Sequence, residues 1–104
     1  MRGKWETRTM SEDKIKLHSE EIRRIAHTHG ARRIRVFGSH ATGAASESSD
    51  LDLLVALEPG RDLLDLVGLK YDVEALLGCS VDVVEEDGLS PYLRDRILGE
   101  ARPI

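Results

Sequence analysis

A chain of 104 residues sits near the lower end of the single-domain range, so one core of modest size is expected and a second domain is not. Hydrophobic residues at 40% and charged residues at 33% mark a folding sequence, while a formal charge of -4, from 19 acidic against 15 basic residues, would repel a long nucleic acid and argues against general nucleic-acid binding. The lone Cys79 forbids an internal disulfide, and with no long apolar segment and no signal-like start the expected setting is the cytoplasm, with no membrane association.

The first nine residues show neither helical nor strand periodicity, and residues 1 to 10 read as a loose N-terminal extension before a domain spanning 11 to 104. Ser11 followed by Glu12 and Asp13 reads as a helix cap with an acidic first turn. From there Ile15, Ile22, Ile25 and Ala26 keep helical spacing and Gly30 supplies a stop, which predicts a helix over roughly residues 12 to 29. Residues 32 to 37 alternate, with Ile34 and Val36 on one face, and end at Gly38, a residue suited to a sharp change of direction. A Gly, Ser and Ala-rich turn, with room for one short helix, leads to a second strand in the run LDLLVAL, closed by Pro59 and Gly60. Residues 62 to 77 predict a second helix with Leu63, Leu66, Val67, Val73 and Leu77 on one arc and Gly78 as terminator. Leu64, Leu69 and Leu76 widen that arc beyond what one small sheet can cover, which points to a partner chain. A third strand follows in CSVDVV, then a last helix that Ser90 caps and Pro91 opens. The order of elements predicts a small α/β domain, a sheet covered by helices.

The chemistry concentrates at Gly38 and Ser39 after the first strand, at Asp50 and Asp52 opening the second, and at Asp82 within the third. On a strand, residues two apart share a face and lie about 6.8 Å apart, so Asp50 and Asp52 can point at one place, and Asp82 can join them from a neighbouring strand. Three carboxylates held close repel one another, and a hard divalent cation relieves that repulsion. Magnesium is the expected ion, and a pair of such ions orients nucleotide phosphates for in-line displacement at phosphorus. Gly38 lets the backbone approach a phosphate closely and Ser39 offers a hydroxyl, so both read as phosphate contacts.

Blander readings stand beside these. An isolated Asp-x-Asp pair is usually the solvated face of a strand, and it is the addition of Gly38, Ser39 and Asp82 that shifts the balance. The Gly38-to-Gly43 spacing lacks the Lys and Ser or Thr of a P-loop. His27 and His29 lie roughly 200° apart on a helix and cannot clamp one zinc ion, so they read as helix-end charges or solvated residues. Cys79 reads as a packing residue, Glu85, Glu86 and Asp87 as a solvated charge run, and Tyr71 and Tyr92 as packing or interface residues.

The stretch GSHATGAASESSDLDLLV, followed 30 residues after Asp52 by Asp82 in VDVV, resembles the motif set of the DNA polymerase beta-like nucleotidyltransferases, and the C-terminal segment resembles the minimal nucleotidyltransferases among them. The resemblance covers residues 11 to 104. It implies a three-stranded mixed sheet with flanking helices, ATP with Mg2+ as donor, and action as the antitoxin of a HEPN-domain toxin by transfer of AMP to a tyrosine hydroxyl of that toxin. Carried over by position, Asp50 and Asp52 would hold metal, Asp82 would assist them or deprotonate the acceptor, and Gly38 with Ser39 would hold the triphosphate. Many relatives read Gly-Ser-x-Ala-Arg-Gly, whereas Thr42 here carries no charge, which leaves His40 or Arg35 as substitutes, or a binding-only antitoxin that masks its toxin. Transfer to a small molecule is a third reading, against which stands the absence of an acceptor-holding domain.

Overall fold

The structure, a computed structural model, describes residues 15–42 and 50–104, so the Ser11 cap and the proposed extension before it lie outside the described residues. Helix α1 (Ser19–Thr28) continues a helical stretch over 15–17 after a turn at His18 and ends within a residue of the expected point. Strand β1 (Ala31–Phe37), the four-residue helix α2 (Ser39–Thr42), β2 (Leu51–Leu57), α3 (Leu63–Leu77), β3 (Val81–Glu85), a 3-10 turn (Glu86–Gly88), α4 (Pro91–Glu100) and β4 (Arg102–Pro103) follow.

The sheet runs β3-β2-β1-β4, with β2 parallel to β3 and the other two pairings antiparallel. It is therefore four-stranded, where three strands are expected from the sequence. The added strand is two residues long and contains a proline, so it carries no alternation to read. Pro103, which lacks an N–H, is tolerated because β4 lies at the sheet edge. Arg23 Nη1 donates to the Ile104 carbonyl oxygen at 2.6 Å, which ties this end of the chain to α1.

Strand alternation divides the sheet into two unlike faces. Leu51, Leu53, Val55 and Leu57 of β2 join Ile34 and Val36 of β1, Ile22 and Ala26 of α1, and Leu69, Val73 and Leu77 of α3 in one core. Leu54, Ala56 and Asp52 occupy the opposite face of β2, beside Arg35, Arg33 and Phe37 of β1 and Val84 and Asp82 of β3.

Helix α3 forms where expected and is stopped by Gly78 in the left-handed conformation at φ 72°. Its start is fixed by a reciprocal pair that the sequence reading did not identify: Asp62 accepts from Leu64 N–H, and Asp65 accepts from Asp62 N–H. The expected apolar arc is redistributed. Leu69, Val73 and Leu77 are buried, while Leu63, Leu64, Val67 and Tyr71 face solvent, Leu64 at 77% exposure. His29 likewise departs from the solvated reading, since its Nε2 lies 2.7 Å from Asp72 Oδ2 and its ring packs against Gly68, joining α1 to α3.

Glu86 departs furthest from expectation. The residue is only 8% exposed, and its carboxylate receives two hydrogen bonds from Arg33, Nε and Nη2, each at 3.0 Å, and a third from Arg35 Nη2. A carboxylate beside two guanidiniums is worth burying where the same residue in a free turn would be hydrated. The Arg33 hydrogen bonds, with Arg35 adding to them against the cost of burial, hold the Glu86 carboxyl below its ordinary range. A carboxylate with a depressed folded pKa contributes stability that is complete above its unfolded pKa of about 4.3 and is lost as pH falls through the folded value. Glu86→Gln is therefore expected to lower stability at pH 7 by about 2 kcal/mol. The gap between wild type and variant should close below about pH 4 in denaturant titrations; a gap independent of pH would contradict the assignment.

Candidate active site

The end of β1, the start of β2 and the start of β3 meet at one corner of the sheet. Phe37 pairs with Asp52 across β1 and β2, and Asp52 pairs with Asp82 across β2 and β3. Neighbouring strands lie about 4.8 Å apart and paired residues share a face, so Asp52 and Asp82 project side by side. Asp50, exposed and one residue before β2, stands two positions from Asp52 on the same side.

The pairing follows from the sequence LDLLVAL: Leu51 and Leu53 are fully buried on the helix side, which forces Asp52 between them to the other face. Asp52 is half-buried, and its carboxyl is pushed above the ordinary aspartate range first by burial, then by the charges of Asp82 and Asp50. The charge on His40 acts in the opposite sense. His40 itself is only 6% exposed.

Gly38 follows β1 at φ 76°, a conformation disfavoured for any side chain, and a Cβ there would stand 2.5 Å from Asp52 Oδ2. The glycine thus serves two requirements, the turn and the space for the carboxylate. Its carbonyl accepts from Ala41 N–H at 3.0 Å, Thr42 N–H at 3.1 Å and the Thr42 hydroxyl at 3.3 Å. Thr42 braces the turn through its two bonds. Ser39 opens α2 directly after Gly38. Arg35, a candidate substitute for the missing cation, donates from Nη2 to Glu86.

Lys70 and Glu74 were not anticipated from the sequence. Their i,i+4 spacing signals a helix-surface pair, yet they bind each other at 2.9 Å and both reach Val81, the neighbour of Asp82. A cavity of about 200 Å³ is lined by Phe37, Gly38, Leu93, Arg96, Ile97 and Glu100, and one of about 360 Å³ has Ile15, Val36, His40 and Ile104 in its wall; none of the three aspartates lines either.

The donor set fits a hard divalent ion: oxygen donors only, with repulsion among them that a cation relieves. Among the described residues, Asp50, Asp52 and Asp82 included, no group of three or more His, Cys, Asp or Glu side chains is arranged to hold a metal ion. Magnesium does not require one, since it commonly takes one or two carboxylates, keeps several waters and shares substrate phosphates. Among the same residues no helix is long and apolar enough to cross a membrane.

Comparison with known proteins agrees with this fold. A protein of Methanocaldococcus jannaschii assigned as a protein adenylyltransferase is 49% identical over 73 residues, 70% of this chain and 78% of its own. The protein adenylyltransferase MntA of Thermococcus cleftensis is 40% identical over 83 residues, 80% of this chain and 81% of its own. A solved structure assigned as a minimal nucleotidyltransferase superposes with a TM-score of 0.83 at 50% identity, covering 91% of this chain and 97% of that one. At 19% identity, an MNT antitoxin in complex with a tri-AMPylated HEPN toxin of Shewanella oneidensis shares the fold, with a TM-score of 0.65 over 85% of this chain and 69% of that one. The nucleotidyltransferase domain family matches residues 15–104, and with the sheet, the Gly38 turn and the carboxylate corner in place the chain belongs to that family as a nucleotidyltransferase of the minimal, polymerase beta-like kind.

Proposed function

We propose that this chain is a magnesium-dependent protein adenylyltransferase that moves AMP from ATP to a tyrosine hydroxyl of a HEPN-domain toxin and thereby acts as its antitoxin. The observation that carries the reading is the cradle at Gly38, where the missing side chain leaves room for Asp52 and the strand register sets Asp82 beside it. The names and complexes of the relatives support the partner class.

In this reading Asp50, Asp52 and Asp82 hold magnesium, and Gly38 with Ser39 hold the triphosphate. Bound magnesium would neutralise phosphate charge and stabilise the attacking and leaving oxygens. The acceptor oxygen bonds to the α-phosphorus, the bond from that phosphorus to the bridging oxygen breaks, and pyrophosphate departs. A phenol has an unperturbed pKa near 10, so it needs help to react at neutral pH, and Asp82, on a different strand from Asp50 and Asp52, takes its proton. The folded partner supplies the acceptor's positioning, and the exposed Leu63, Leu64, Val67 and Tyr71 of α3 offer an apolar surface to a partner chain.

A binding-only antitoxin is the second reading, favoured by Thr42, whose hydroxyl is tied to the Gly38 carbonyl where relatives carry a cation. Intact mass spectrometry of the HEPN partner after incubation with ATP and magnesium separates the two. A mass increase of one or more AMP units is expected; an unmodified partner that is nevertheless inhibited would support the binding-only reading.

Asp50→Asn and Asp52→Asn are each expected to reduce transfer about 100-fold or more while leaving the fold intact. Asp52 has a raised folded pKa, so its ionisation opposes folding of the metal-free protein as pH rises through that value. Metal-free Asp52→Asn should accordingly unfold at pH 7 no more easily than wild type. Near-normal transfer by either variant would contradict the metal assignment.

Gly38→Ala should lower transfer more than about tenfold, since the added methyl displaces the Asp52 carboxylate. Asp82→Asn should cost turnover far more than ATP affinity. Equal losses in turnover and affinity would place Asp82 among the nucleotide contacts instead.

A further inference from the structure

Among the described residues strand β3 lies at the edge of the sheet, bonded to β2 alone, and it carries Asp82. Ser80 gives its carbonyl to Leu51 N–H at 2.9 Å. In a parallel pair successive residues bond to opposite sides, so Val81 turns its N–H and carbonyl away from β2 toward the free edge. Among the described residues no strand pairs with that edge. Helix α3 instead sends two side chains to the same peptide groups: Glu74 Oε2 accepts from Val81 N–H at 2.9 Å, and Lys70 Nζ donates to the Val81 carbonyl at 2.8 Å. Lys70 and Glu74 also pair with each other at 2.9 Å through that same carboxylate oxygen.

We propose that Lys70 and Glu74 act as positioning residues for the transfer reaction: together they take the place of a neighbouring strand at Val81 and fix the register that keeps Asp82 in the carboxylate corner. The inference rests on the function proposed above.

Register matters because side chains alternate with a period of two. A slip of β3 by one residue would carry Asp82 toward the core and bring Val81, now 1% exposed, to the carboxylate side. The edge position makes slippage easier to reach, since Val81 receives no hydrogen bond from a further strand. A helix-surface ion pair of this spacing is ordinarily worth little by itself. The added bonds to one peptide unit give it a positional role, and they act one residue from the group whose position the chemistry requires. The hydrogen bond from Val81 N–H, with Lys70 second, holds the Glu74 carboxyl below its ordinary range, in keeping with an acceptor committed to that site.

The test uses Lys70→Met, Glu74→Ala and the conservative Glu74→Gln, whose amide oxygen still accepts from Val81 N–H. Three readouts apply: kcat and KM for ATP with the HEPN partner as acceptor, hydrogen exchange at the Val81 amide, and Mn2+-induced broadening of the Asp82 amide signal in the protein alone. Lys70→Met and Glu74→Ala are expected to lower kcat about tenfold with KM for ATP within twofold, to speed Val81 exchange, and to require at least about fivefold more Mn2+ for the same broadening of Asp82. Glu74→Gln should recover most of each. Folded variants with faster Val81 exchange but unchanged kcat and unchanged Mn2+ response would overturn the proposal, reducing the pair to an edge cover. If wild type transfers nothing, the proposed function fails, and the clamp is still judged by the exchange and Mn2+ arms, which need no turnover.

Discussion

The pairing of β2 with β3 is the constraint on which the rest depends. Leu51, Leu53 and Val55 are fully buried against the helices, so the alternation of β2 leaves Asp52 no choice of face. The parallel register then sets Asp82 beside it, and the antiparallel register with β1 delivers Gly38 to the same corner. Three segments that are distant in the sequence become one site through hydrophobic burial on the reverse side of the sheet. The stability of the core and the geometry of the chemistry are consequences of the same alternation.

The second face shows how a chain this small economises. Leu54 and Ala56 are buried on this face, and a buried carboxylate with its arginines does part of the covering. Glu86 joins Arg33 and Arg35 across β2, and Arg94 from α4 donates to the Glu86 carbonyl at 3.2 Å. Arg33 and Arg35 thus serve the architecture of this face.

Much of this was legible in the sequence because it is local or periodic. Alternation gave β1 and β2, Ser90 and Pro91 gave the start of α4, and the positions of Gly38, Asp50, Asp52 and Asp82 gave the candidate site with the family to which the chain belongs. Contacts between elements were hidden. Glu86 sits in a charge run that reads as solvated, and nothing near it in the sequence announces two arginines more than fifty positions away. The β4 pairing is too short to have a pattern, and the split of the leucines of α3 between core and surface depends on how the helix is rolled onto the sheet. Lys70 and Glu74 show the spacing of a solvated pair, and only the fold reveals the peptide unit they hold.

The claim that the carboxylate corner is the seat of nucleotide chemistry is tested most directly by a crystal structure of the protein grown with Mn2+ and a non-hydrolysable ATP analogue, with the metal located by anomalous scattering. The account predicts manganese bound by Asp50, Asp52 or Asp82 with the triphosphate against the Gly38 turn. Manganese held elsewhere, with the analogue bound away from Gly38, would contradict it.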